Sequence, residues 1–168
     1  AAATDVLKRP VYPPVPLSET QQAMAKKNRS RKELTAGGLA SENPADLAVE
    51  SLRSLRTSLH FGMMDARNNI LMISGPSPGV GKTFVSVNLA AVMAMANQRV
   101  LLVDADMRRG FSHDVFGVSN HKGLSALLAG KVTVEKTTAP RGGDGLAYHR
   151  PDTGPQHHAE RVTRQRVP

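Results

Sequence analysis

The chain has 168 residues, the size of one domain, and 40% of them are hydrophobic, enough for a core. Aromatics make up 4% and Trp is absent, so that core has to be aliphatic; the lack of Cys excludes a disulfide scaffold and thiolate metal sites. A net charge of +8 points to anionic partners such as nucleotide, nucleic acid or lipid headgroups, without choosing among them. No apolar run reaches the ~18 residues of a membrane span. Residues 1–10 lack the apolar stretch of a signal peptide. The chain is therefore expected to be soluble and cytoplasmic and, lacking an initial Met, to be a piece of something larger.

Residues 1–40 read as a linker. Pro10, Pro13, Pro14 and Pro16 break regular structure. Residues 25–32 hold five basic side chains in eight, either a solvated tether or a patch that touches anionic lipid. A helix is expected from Asn43 as N-cap, with Pro44 in the first turn and Asp46 at the positive end of the dipole. Ala48, Leu52, Leu55 and Leu59 form one apolar stripe at helical spacing. Glu50 and Arg53 point away from that stripe, and Arg56 lies on its flank. Residues 69–74 (Asn-Ile-Leu-Met-Ile-Ser) read as a buried strand. Residues 82–96 are apolar on every face and read as a buried helix ended by Asn97 and Gln98. Residues 100–103 (Val-Leu-Leu-Val) read as a second buried strand, making a βαβ unit in which the two strands run parallel. A short helix is expected over 124–128, stopped at Gly130. From His149 onward the aliphatic pattern is lost and Pro, Gln, Arg and His dominate.

Between the expected strand and helix lies Gly75-Pro-Ser-Pro-Gly79-Val80-Gly81-Lys82-Thr83. Gly79 and Gly81 free backbone N–H groups to turn inward onto phosphates. Lys82 places a charge on the β- and γ-phosphates, Thr83 offers a hydroxyl to Mg²⁺, and the helix N-terminus adds its dipole. In the common pattern the first Gly falls at the position of Pro76; here it is Gly75. A buried strand before the loop and a buried helix after it support the phosphate reading over a chance Gly/Pro turn. The nucleotide-binding candidates are thus Pro78, Gly79, Val80, Gly81, Lys82, Thr83 and Phe84. Asp104 and Asp106 follow the second strand. Ligands of an open parallel sheet sit beyond the carboxyl ends of its strands. There the two aspartates could hold Mg²⁺ with Thr83, directly or through water, and one could accept a proton from an attacking hydroxyl; the plain alternative is a solvated strand end.

Together these motifs resemble the bacterial tyrosine kinases of capsule and exopolysaccharide synthesis and export. The likeness runs over roughly residues 8–148. It includes apolar residues followed by Asp104-Ala-Asp106-Met-Arg108, and Glu50-Ser-Leu-Arg53-Ser-Leu-Arg56 on a helix before the phosphate loop. The resemblance implies a P-loop α/β fold, here incomplete, with a parallel sheet and helices on both faces. It implies ATP and Mg²⁺ as cofactors and transfer of the γ-phosphoryl group to tyrosine, with Lys82, Asp104 and Asp106 catalytic. It also implies a homo-oligomeric ring joined through Glu50, Arg53 and Arg56, with each subunit presenting tyrosines to the next. A transmembrane chain-length and activator region in the full-length protein would place the domain at the cytoplasmic face of the inner membrane. No nucleic-acid partner is expected.

The chain departs from that family in two places. It has no apolar strand ending in Asp after residue 106, and its only tyrosines are Tyr12 and Tyr148 instead of a tyrosine-rich end. The polypeptide as given is therefore expected to be inactive as a kinase. Residues 149–168, read one nucleotide later, permit a family-like stretch, so a shift of reading frame near His149 is expected, followed by a disordered tail. The division is thus 1–40 linker, 41–148 partial kinase domain, 149–168 tail. Two alternatives stay open. A partition- or division-type P-loop ATPase carries a signature lysine early in the loop, where this chain has Ser77. A nucleotide-binding adaptor would bind without turnover. A sheet short of strands leaves apolar surface uncovered, so poor solubility is expected.

Overall fold

The computed structural model describes residues 10–28, 38–106, 112–116, 123–141 and 146–149. Arg108, residues 29–32 of the basic run and the expected tail at residues 150–168 lie outside the described residues.

In chain order the elements are α1 (Glu19–Asn28), α2 (Leu39–Glu42), α3 (Leu47–Gly62), α4 (Lys82–Met95) and β1 (Val100–Val103). They continue with α5 (Ser112–Phe116), α6 (Leu124–Leu128), α7 (Val134–Thr137), β2 (Thr138–Arg141) and β3 (Leu146–His149). The segment expected to be plain linker thus carries a helix, and the chain just after it puts Leu39 and Ala40 into the core with no exposed surface.

α4 explains the architecture. It is apolar on every face because it is covered on two sides. One side, with Leu89, Ala91 and Val92, packs against Leu39 and Ala40 of α2 and Ala48, Val49 and Leu52 of α3. The other, with Val87, Ala90 and Ala94, packs against Val100 and Leu102 of β1 and Val115 and Phe116 of α5. The helix stops where Asn97 takes a left-handed conformation (φ 61°).

The helix expected from Asn43 begins instead at Leu47. Asn43 closes α2, its N–H bonded to the Leu39 carbonyl (2.8 Å). Asp46 takes the N-cap of α3, accepting from the Ala48 amide (2.9 Å). A carboxylate suits the positive end of the dipole better than an amide, and the Asn43-Pro44 turn leaves Asp46 at the right place. Burial alone would raise the Asp46 pKa, but hydrogen bonds from Ser18, the Ala48 amide and Thr20 together hold it below its ordinary 3.8. A lowered carboxylate stabilises the fold above its unfolded pKa and loses that contribution as pH falls through the folded value. Asp46→Ala should therefore cost about 1 kcal/mol at pH 7, and the cost should shrink in denaturant titrations below pH 4. A pH-independent difference would refute the assignment.

The sheet has the order β1-β3-β2. β3 lies parallel to β1, from Val100 opposite Leu146 to Val103 opposite His149. β2 runs antiparallel to β3, from Thr138 opposite His149 to Arg141 opposite Leu146. β2 contains Pro140 and sits at the edge, where a missing N–H breaks no ladder. The expected strand at 69–74 is not formed: these residues join no ladder among the described residues. An apolar run supplies strand propensity but not a partner, and β1 pairs with β3. Much of the run is also exposed where burial was expected, Ile70 at 79% and Met72 at 84%, while Ile73 packs partly buried against the core. Leu101 and Val103 are exposed too, so β1 is covered by α4 on one face and bare on the other.

Candidate functional site

The phosphate loop occupies residues 75–81, and two glycines shape it. Gly79 (φ 78°) and Gly81 (φ 91°) are left-handed, and a Cβ at either would meet nothing within 4 Å. Backbone strain, not lack of space, is what calls for glycine there. Gly75 differs: a Cβ would come within 2.7 Å of Val80 Cγ2. A side chain at the displaced first glycine would thus push Val80 of the same loop aside.

Gly81 is also the N-cap of α4, with no side-chain cap and no acidic residue in the first turn. The first amides of a helix, here those of Lys82, Thr83 and Phe84, have no acceptor within it. With the dipole they form an anion-binding end. Lys82 is half-buried, and its ammonium turns back over the loop to donate to the Ser77 carbonyl (2.9 Å). That acceptor is neutral, so the charge is met by no carboxylate there, and a phosphate oxygen is a stronger partner. Thr83 is exposed at the loop's rim.

Asp104 follows β1 directly. One carboxylate oxygen accepts from the Asp106 amide (3.0 Å) and the other from the Ser112 amide (3.2 Å). These bonds fix the turn after the strand and tie it to α5. Each oxygen keeps a further lone pair, so the carboxylate still fits a cation's water shell. Asp106 is exposed. The chain leaves the loop through α4 and returns along β1, and α4 packs on β1 through Val87, Ala90 and Ala94. The loop is therefore carried at one end of this helix–strand layer, and the strand leads away from the opposite end toward Asp104. Among the described residues no cluster of three or more His, Asp or Glu side chains forms. Lys82, Thr83 and the two aspartates together are an oxygen-donor and cationic set that fits a magnesium-bound polyphosphate.

On α3, Arg53 forms an ion pair with Glu50 on the exposed side of the helix. Arg56 turns the other way and donates to the Val92 carbonyl of α4 (3.2 Å). Sequence reasoning did not find Asn88, which is 2% exposed. Its side-chain carbonyl accepts from the buried Ala40 amide (2.8 Å), and its amide donates to the Phe84 carbonyl (2.8 Å). Asn88 ties α2 to the helix that carries the loop. The available signal was one amide side chain in the otherwise apolar stretch of α4.

Comparison with known proteins adds the following. The CobQ/CobB/MinD/ParA nucleotide binding domain matches residues 71–138, a stretch that includes the whole loop. Tyrosine-protein kinase etk of Escherichia coli (strain K12) is 46% identical over 165 residues, covering 94% of this chain and 23% of that protein. Tyrosine-protein kinase wzc of Salmonella typhimurium is 49% identical over 137 residues, covering 77% of this chain and 18% of that protein. Among solved structures, the BceF tyrosine kinase domain superposes with a TM-score of 0.83 at 40% identity, over 94% of this chain and 63% of that one. The kinase domain of Escherichia coli tyrosine kinase ETK gives 0.78 at 44%, over 95% and 62%. The chain spans about a fifth of the length of the curated relatives it matches.

Proposed function

We propose that this chain, which belongs to the bacterial tyrosine kinase family, is the ATP-binding part of a protein-tyrosine autokinase that regulates exopolysaccharide or capsule synthesis and export. The observation that carries the reading is the Lys82 ammonium held over its own glycine loop at a helix end free of first-turn acid. In this reading the amides from Gly79 to Thr83 wrap the β- and γ-phosphates, with Pro78, Val80 and Phe84 flanking them. Lys82 neutralises the charge that builds on the transferred group. Thr83, Asp104 and Asp106 would hold Mg²⁺, which would supply charge neutralisation for the phosphates. Asp104 or Asp106 takes the proton of the attacking phenol. Arg108 belongs to the same motif.

Glu50, Arg53 and Arg56 are assigned to contacts between subunits of a ring. By its family resemblance the domain is assigned to the cytoplasmic face of the inner membrane, beside a transmembrane activator region. Among the described residues no helix is long and apolar enough to cross a membrane. The domain is taken as residues 41–148, with the buried Leu39 and Ala40 drawing its start back to Gly38.

The test is incubation of the chain with γ-labelled MgATP beside calorimetry of nucleotide binding. Nucleotide uptake is the expected result, with no turnover by this chain on its own, and phosphotyrosine would show the autokinase directly. Free phosphate without phosphotyrosine would favour the partition-type ATPase, against which Ser77 in place of the signature lysine already speaks. Binding without turnover would leave a nucleotide-binding fragment, and no uptake at all would sink all three.

A further inference from the structure

Two anchors hold the Pro-rich segment before α1 against α3. Tyr12 is half-buried, and its hydroxyl lies 3.3 Å from where a Cβ would stand on Gly62, the last residue of α3. At the other end, the buried Ser18 donates to Asp46, the N-cap of α3 (2.8 Å). Between them Val15 packs on the cluster that contains Ala48, Val49 and Leu52. The span from 12 to 18 covers roughly 20 Å when extended, and α3 is about 24 Å long. Residues 12–18 are therefore a strap that runs the length of α3, against its direction. Pro13, Pro14 and Pro16 favour this extended form and donate no backbone hydrogen bond, so the strap depends on its two ends and on Val15.

We infer that Tyr12 is a phosphoacceptor whose modification releases the strap from α3. This rests on the tyrosine-kinase reading for the source of the phosphoryl group. In the step, the bond from the γ-phosphorus of ATP to its bridging oxygen breaks and a bond from that phosphorus to Tyr12 Oη forms. ADP leaves, and the phenolic proton passes to a carboxylate base. The product carries a charge near −2 where a neutral phenol stood. It would sit beside the last carbonyls of α3, the negative end of that helix. His60 is the basic side chain of that last turn and lies edge-on to Phe61. Because Tyr12 is half-buried, its hydroxyl reacts when the strap lifts, and the phosphate then keeps it lifted.

Two measurements test this on the full chain: site-resolved mass spectrometry of phosphotyrosine, and hydrogen exchange of residues 10–18. Both are made after incubation with MgATP alone, and with MgATP plus the kinase domain of the Escherichia coli relative. The expected result is phosphate on Tyr12 and exchange across the strap faster by roughly tenfold, with neither change in Tyr12→Phe. Phosphate on Tyr12 only when the second kinase is added would support the acceptor site and match a chain that binds nucleotide without turnover. Phosphate on Tyr148 alone, no phosphotyrosine in either arm, or a modified Tyr12 with unchanged or slower exchange would each overturn the inference; slower exchange would mean that His60 captures the phosphate.

Discussion

Lys82→Met is expected to lower phosphoryl transfer by the full-length kinase carrying this domain by about 10²–10³-fold, and to weaken nucleotide binding by roughly tenfold or more. The methionine keeps the apolar stem and removes only the charge. Lys82 lies at the start of α4, where the free helix amides and the dipole already favour an anion. The ammonium is the part of that field able to follow the phosphate as its charge moves toward the leaving group, and its partner among the described residues is the neutral Ser77 carbonyl. Its loss should therefore be felt more in the transition state than in binding. Lys82→Arg should not restore activity, because a broad planar guanidinium does not reproduce the point contact that the compact ammonium makes over the loop. Single-turnover transfer and calorimetry on both variants are the check. A Met variant that transfers at the parent rate would remove Lys82 from the chemistry.

What could be read in advance followed physical scale. The loop was legible because its chemistry is local: glycine freedom, a lysine and a hydroxyl within a few residues. α4 was legible because a stretch apolar on all sides must be buried on all sides, and two clusters do cover it. α6 appeared where expected, with Gly130 left-handed just past its end. Pairing was not legible. Residues 69–74 have better strand composition than 138–141, which contain a proline, yet the latter are in the sheet. A ladder is decided by the neighbour available, which no window of sequence contains. The start of α3 was missed for a similar reason: Asn43 and Asp46 could each cap a helix, and the bond from Ser18, far back in the chain, goes to Asp46. At the site, the roles of Asn88 and Ser112 were hidden because the Asn88 side chain meets the Ala40 amide, distant in sequence, and Ser112 supplies only its backbone amide to the Asp104 carboxylate.

The largest stability effect is expected from Leu52→Ala. Leu52 has no exposed surface and lies where α3 meets α4. Truncation removes buried methyl groups and leaves a cavity between two helices that are tied elsewhere and cannot simply close. Arg56 holds α3 to the Val92 carbonyl, and Asn88 holds α4 to α2. The expected loss is about 2–5 kcal/mol in urea unfolding, a large share of the 5–15 kcal/mol typical of a domain. Leu55→Ala, at a partly buried position on the same helix, should cost less. Leu52→Met, which conserves volume, should cost under about 1.5 kcal/mol. That order separates packing from a general sensitivity of α3. Because the same contact sets α4, and α4 begins at Lys82, nucleotide affinity should fall in Leu52→Ala before the chain unfolds and recover in Leu52→Met. Equal costs at 52 and 55 would mean that the helix pair is not the core of this domain.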